Sequence, residues 1–241
     1  MSMTTKPGTA PGRAGHVVPS MSSLLLDDGD YVSDANHPIP DIVIRRLPIY
    51  LRTLTALLEK DVVSINSEEL AESIGVTAAQ IRRDLSYFGK FGKQGKGYDV
   101  RFLTDEIHHI LQLDRPWNCA LVGYGNLGLA IVHYGGFVPT TFHISAIFDR
   151  NDTVGLEVNG LEVQDVEDIT DTVAQLGIKI GILAVPPHSA QDMADRLIAG
   201  GVTAILNYAP IVIKAPPHIM VREVDPIGAM QSMTYYLDEQ E

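Results

Sequence analysis

Apolar positions follow one rhythm before residue 116 and another after it. Leu47, Tyr50, Leu51, Leu54, Leu57 and Leu58 recur at helical spacing, which predicts an amphipathic helix within residues 42–60, with Arg45, Arg46 and Arg52 off its stripe. Asn66-Ser67-Glu68-Glu69 reads as a capping box opening a short helix that ends near Gly75, and Thr77-Ala78-Ala79-Gln80 opens a second that runs through Phe88. Two short capped helices joined by a tight glycine-containing turn are the sequence form of a helix-turn-helix. On the second helix Ala78, Ile81, Leu85 and Phe88 share one face at about 100° per residue. Gln80, Arg83 and Tyr87 share another, with Arg82 and Ser86 further round. Gly89 to Val100 then mixes glycines, lysines and two aromatics. Alone this suits a solvated Gly/Lys turn; directly after a helix-turn-helix it suits a β-hairpin wing. A short helix over Ile107 to Leu113 and a break at Asp114-Arg115-Pro116 complete the first part.

From Trp117 strands and helices alternate. Strands are predicted at Asn118 to Val122, His143 to Phe148, Leu161 to Val163, Lys179 to Val185 and Thr203 to Leu206. Helices are predicted at Leu127 to Tyr134, Val166 to Gln175 and Ser189 to Ala199. This alternation implies an α/β fold: a mostly parallel, doubly wound sheet with helices on both faces. A last helix, Pro226 to Leu237, carries Ile227, Met230, Met233 and Leu237.

The first of these strands runs into Gly123-Tyr124-Gly125-Asn126-Leu127-Gly128. A strand feeding a G-x-G-x-x-G turn into a helix is the phosphate cradle of a dinucleotide-binding unit, because the glycines let backbone, pyrophosphate and helix N-terminus approach one another. Three glycines in six residues are weak evidence by themselves. The confirming acid is Asp149, which ends the next strand 21 residues after Gly128 and suits the adenosine ribose hydroxyls. That favours NAD(H) over NADP(H), although Arg150 beside it could host a 2′-phosphate.

Charge divides the chain more sharply than its total of −12 suggests. Residues 40–101 carry a net +2 and residues 102–241 a net −12, and within 82–101 six basic residues face two acidic ones. A basic, nucleic-acid-facing module joined to an acidic one accounts for that asymmetry. Residues 1–38, rich in Gly, Pro, Ser and Thr, read as a disordered tail. The absence of a signal region and of any membrane-length apolar run, with Cys119 as the single cysteine, leads to the expectation of a cytoplasmic protein without disulfides. A dehydrogenase would need a substrate domain and an acid/base partner for the nicotinamide. The roughly 125 residues after Trp117 leave little chain for such a domain beyond one sheet. None of His133, His143, His188 and His218 sits in a catalytic pattern. No enzymatic activity and no metal site are expected.

The ordered motifs together resemble the Rex family of redox-sensing transcriptional repressors from about Ile39 to Leu237. They are Arg46-Leu47-Pro48-Ile49-Tyr50-Leu51-Arg52, Gln80-Ile81-Arg82-Arg83-Asp84-Leu85-Ser86-Tyr87-Phe88-Gly89, the wing around Phe91-Gly92 and Gly97-Tyr98, and the glycine loop. Tyr134, Phe148-Asp149, Ala184-Val185-Pro186, Asn207-Tyr208-Ala209-Pro210, Val224-Asp225 and Tyr235-Tyr236-Leu237 follow. The resemblance implies a winged-helix domain over 39–115, a Rossmann NAD(H)-binding domain over 116–225, and a C-terminal segment, 226–241, exchanged in a homodimer. It implies a repressor that holds a pseudo-palindromic operator when NADH is low and leaves it when NADH binds, controlling respiratory or NADH-consuming fermentation genes. The expected DNA-facing residues are Arg46, Thr77, Gln80, Arg82, Arg83, Tyr87, Lys90, Lys93 and Lys96. Those expected at the cofactor are Gly123 to Gly128 (with Tyr124, Gly125, Asn126 and Leu127), Asp149, Tyr134, Asn207 and Pro210. Asp225 of one protomer looks like a switch residue able to pair with Arg52 or Tyr134; it reads equally as the N-cap of the helix that Pro226 begins.

Overall fold

The computed structural model describes residues 39–93, 97–134 and 141–237, apart from the side chains of Lys93 and Asn151. The expected tail, Lys96 and the Lys93 side chain lie outside these residues.

Two separate cores organise the described chain. The first is built from α1 (Asp41–Leu58), β1 (Ser64–Ile65), α2 (Ser67–Ile74), α3 (Ala78–Ser86), β2 (Gly92–Lys93), β3 (Gly97–Asp99) and α4 (Val100–Ile110). Leu47, Tyr50 and Leu54 from α1 meet Leu70, Ile81, Leu85, Leu103 and Ile107, all buried, so the helical stripe read from the sequence is the face that closes this core. The capping box of α2 is complete: Asn66 Oδ1 accepts the Glu69 N–H at 2.8 Å, and Glu69 accepts the Asn66 N–H at 3.0 Å. Thr77 caps α3 through the Gln80 N–H. β2 and β1 flank β3 in an antiparallel three-stranded sheet, the frame of a wing. The last helix starts seven residues earlier than the sequence predicts. Asp99, the last residue of β3, accepts the Phe102 N–H at 2.8 Å and caps α4 at Val100.

The second core surrounds β4 (Trp117–Val122), α5 (Asn126–Val132), β5 (Phe142–Asp149), β6 (Glu157–Val158), β7 (Leu161–Asp165), α6 (Ile169–Leu176), β8 (Ile180–Leu183), α7 (Pro187–Ala199), β9 (Ala204–Asn207) and β10 (Met220–Glu223). The sheet order is β10-β9-β8-β4-β5-β7-β6, parallel throughout except for the β6–β7 edge hairpin. Without β6 this is the doubly wound order that reverses at its first strand. Alternate residues of β4 serve the two faces: Ala120 and Val122 join one buried cluster, Cys119 and Leu121 the other. The sixth parallel strand, β10, is too short and too mixed in polarity to register in the sequence pattern. It matters because Arg222 on β10 reaches back to Asp41 in the first turn of α1, whose other oxygen takes Arg45 at 2.6 Å. An ion pair thus ties the sheet to the helical core.

α8 (Pro226–Thr234) follows β10 and buries none of its residues.

Candidate cofactor cradle and DNA-binding face

The glycine loop lies where the sheet order reverses, between the ends of β4 and β8. Gly123 has φ of +100°, and a Cβ there would lie 2.4 Å from the Ala184 carbonyl oxygen. A Cβ on Gly128 would lie 1.9 Å from the Gly123 carbonyl oxygen, so α5 can approach the strand end only because that side chain is missing. Gly125 is different: a Cβ there would meet nothing within 4 Å. The second glycine therefore serves no internal packing and leaves open the surface that a pyrophosphate would approach, in front of the unsatisfied N–H groups of the first turn of α5. Asp149 at the end of β5 accepts the Tyr124 N–H at 2.9 Å through one oxygen and the Arg150 N–H at 2.7 Å through the other. A carboxylate has about four lone-pair positions, so two remain for a ribose diol. The Arg150 guanidinium stands 3.6 Å from Asp192 on α7, a partner that competes with any 2′-phosphate.

Beyond the loop, Tyr134 follows α5 and is 64% exposed. It is close enough to Tyr208 to raise that phenol's pKa further, after burial, which is the larger cause. Two phenols, one after α5 and one after β9, thus face the same region. Asn207, expected at the cofactor, turns its side chain into its own loop. It is buried, its amide donates to the Ala209 and Ile211 carbonyls at 3.1 and 2.8 Å, and its oxygen accepts the Ala209 N–H at 2.9 Å. The side chain ties the 207–211 loop to itself and so shapes the ledge that carries Tyr208 and exposed Pro210.

On the helical core, α3 exposes Arg82, Arg83 and Ser86, and Tyr87 at its C-terminal end and Lys90 follow them at the surface. Arg82 donates to Ser67 at 2.6 Å and Glu68 at 2.9 Å, which fixes the start of α2 against α3 while leaving about half the side chain exposed. Thr77 is exposed and acts as the cap already described. Arg46 is a correction. Expected at the DNA surface, it turns inward, its Nε and Nη2 donating to the two oxygens of Asp84 at 2.6 and 2.8 Å. Gln80, half-buried, also donates to Asp84, at 2.6 Å. The signal for Asp84 lies in its helical-wheel position, about 40° from Phe88 at the edge of the apolar face.

Two family models match the chain. One, described as a putative DNA-binding protein N-terminus, matches residues 38–86, and one described as a CoA binding domain matches residues 114–211. A redox-sensing transcriptional repressor Rex of Roseiflexus sp. is 50% identical over 199 residues, covering 82% of this chain and 90% of the relative. The Rex protein of Streptomyces griseus is 43% identical over 199 residues, covering 82% and 79%. The chain belongs to the Rex family. Among solved structures, RSP in complex with β-NAD⁺ and operator DNA superposes with a TM-score of 0.81 at 43% identity over 85% of this chain and 94% of that one. RSP with β-NADH gives 0.77 at 41%, over 85% and 96%.

Membership in Rex raises the question of how a redox signal enters, and Cys119 is the obvious suspect to test. It sits 1% exposed in β4, and burial pushes its thiol pKa up to about 11. At neutral pH that leaves roughly one thiolate in ten thousand, too little for a redox sensor. The native protein should therefore resist a thiol-specific disulfide reagent on a timescale at which the guanidinium-unfolded chain reacts completely. Rapid native labelling would reopen a thiol route. Asp225, in turn, performs the cap that was one of its two readings, accepting the Gly228 N–H at 2.9 Å.

Proposed function

We propose that this chain is a homodimeric repressor that reads the NADH/NAD⁺ ratio, holding operator DNA when NADH is low. The observation that carries the reading is the glycine cradle with Asp149, joined in one chain to a capped, basic recognition helix. The cradle residues would hold the dinucleotide as follows: first-turn N–H groups of α5 on the pyrophosphate across Gly125, Asp149 on the adenosine ribose, and Tyr134, Tyr208 and Pro210 near the nicotinamide. The nicotinamide would supply the two redox states, which the chain would tell apart without interconverting them. On the DNA side, Arg83, Tyr87 and Lys90, with Lys93 and Lys96 of the wing, would meet phosphates and base edges. The function in DNA binding places the protein in the cytoplasm, and the reading assigns it no enzymatic activity.

The transmission follows from symmetry. Two recognition helices must stand about 34 Å apart to enter successive major grooves, so rotating the two sheet domains toward each other lowers affinity without touching a DNA contact. The Asp41–Arg222 pair gives that rotation a grip on α1. Asp225 of one protomer, exchanging between Arg52 and Tyr134 of the other, would set which arrangement is held. The linkage is reciprocal, so operator DNA must weaken NADH binding by the factor by which NADH weakens operator binding.

The test is operator affinity by fluorescence anisotropy, on a duplex selected in vitro by the protein itself, against the NADH/NAD⁺ ratio at fixed salt. Affinity should fall as the ratio rises, and Asp149→Asn should flatten the response while leaving operator binding without cofactor intact. An operator complex indifferent to NADH would overturn the reading. A CoA-responsive regulator is the competing reading because of the model matched by residues 114–211. Asp149 argues for a ribose with both hydroxyls free, whereas CoA carries a 3′-phosphate there. Calorimetric binding of CoA tighter than NADH would decide for CoA.

A further inference from the structure

Asp84 is wholly buried, yet it lies on the recognition helix and touches two residues that were expected to meet DNA. Its Oδ2 accepts Arg46 Nε and the Tyr50 hydroxyl, each at 2.6 Å, and its Oδ1 accepts Arg46 Nη2 at 2.8 Å and Gln80 Nε2 at 2.6 Å. Four donors fill the four lone-pair positions of one carboxylate, so no member of the cluster can turn without leaving a buried polar group unmatched. Tyr50 is held as a neutral donor, its phenol pKa raised by burial and then by the bond to Asp84.

The consequence falls on Gln80. It stands in the first turn of α3, three residues after the Thr77 cap, where recognition helices reach base edges. A free glutamine amide can present its oxygen or its nitrogen to a base with equal ease. Here the acceptor-only carboxylate of Asp84 takes the nitrogen, which fixes the flip of the amide. One N–H and the carbonyl oxygen stay available, and a donor beside an acceptor is the pattern that matches N7 and N6–H of adenine in the major groove.

We propose that Asp84 is a positioning residue for base reading, holding the Gln80 amide so that it selects an A·T pair in each half-site. The inference rests on the DNA-binding function proposed above. The test uses the full chain and duplexes derived from the in vitro selected site by single base-pair changes, with affinity measured by anisotropy beside an unrelated duplex. Gln80→Met, which leaves the Arg46–Asp84–Tyr50 cluster in place, should lose about tenfold discrimination at one A·T position per half-site. Binding to the unrelated duplex and NADH affinity should not change. Asp84→Asn should lose the discrimination at that same position, and should cost no further discrimination in the Gln80→Met background. If Asp84→Asn does not fold, Tyr50→Phe loosens the carboxylate by one bond, and its loss should likewise vanish in that background. Wild-type discrimination in Gln80→Met, or additive losses in the double variant, would overturn the proposal. A wild-type protein that selects no site from the random pool would instead sink the repressor reading itself.

Discussion

Deleting residues 226–241 should leave a monomer with intact cofactor binding and an operator affinity lower by on the order of a hundredfold or more. α8 is apolar around most of its circumference, yet Ile227 is 57% exposed, Met230 53% and Met233 44%, and Leu237 beyond its end is 66% exposed. None of the described residues buries it, and a nine-residue helix gains little from propensity alone. Burying each such side chain contributes roughly 1.5–3 kcal/mol when complete, and two-fold symmetry doubles the set. Among the described residues this segment is the best candidate for dimer contacts. Losing it turns two linked half-site contacts into independent ones. Light scattering gives the mass, and anisotropy on whole and half operators gives the affinities. A truncated chain that remains dimeric with wild-type operator affinity would place the dimer contacts elsewhere.

Gly128→Ala and Gly125→Ala should both abolish the NADH response, for different reasons that a melting curve separates. The Gly128 Cβ would sit 1.9 Å from the Gly123 carbonyl oxygen, closer than real contacts allow, so α5 must retreat from the strand end. Overpacking of this kind costs about 1–3 kcal/mol, which lowers the melting temperature by several degrees in a chain of this size. The same retreat moves the first-turn N–H groups, and NADH affinity should drop on the order of a hundredfold. At Gly125 the added methyl meets no protein atom within 4 Å, so the melting temperature should stay put while NADH affinity still falls. Both variants should bind operator and ignore NADH. Unchanged NADH affinity in Gly125→Ala would mean that the pyrophosphate does not cross this glycine.

Sequence reading succeeded where one local pattern suffices. The capping box at Asn66, the Thr77 cap, the α1 stripe, the glycine loop and the carboxylate at the end of β5 are each defined by neighbours in the chain, and the structure contains them all. It fell short at residues whose role is set by what folds over them. Arg46 lies off the apolar stripe of α1 and looks like a surface cation; only the docking of α3 places Asp84 beneath it. Asn207 looks like a polar contact for a ligand until the 207–211 loop curls round to take both its amide donors and one acceptor position. β10 was missed because a short edge strand of mixed polarity has no periodic signature.

What the sequence alone determined, then, is the kind of machine: period and caps give a helix-turn-helix, alternating strands and helices give the sheet, and glycine spacing with Asp149 gives the cradle. Those signals are local, since backbone geometry and helix ends depend on residues a few positions apart. The tertiary structure decided which polar side chains remain free to act. Asp84 is 38 residues from Arg46, and Arg222 is 181 from Asp41. A buried charge must find its partner wherever the fold brings one, and that pairing has no signature along the chain.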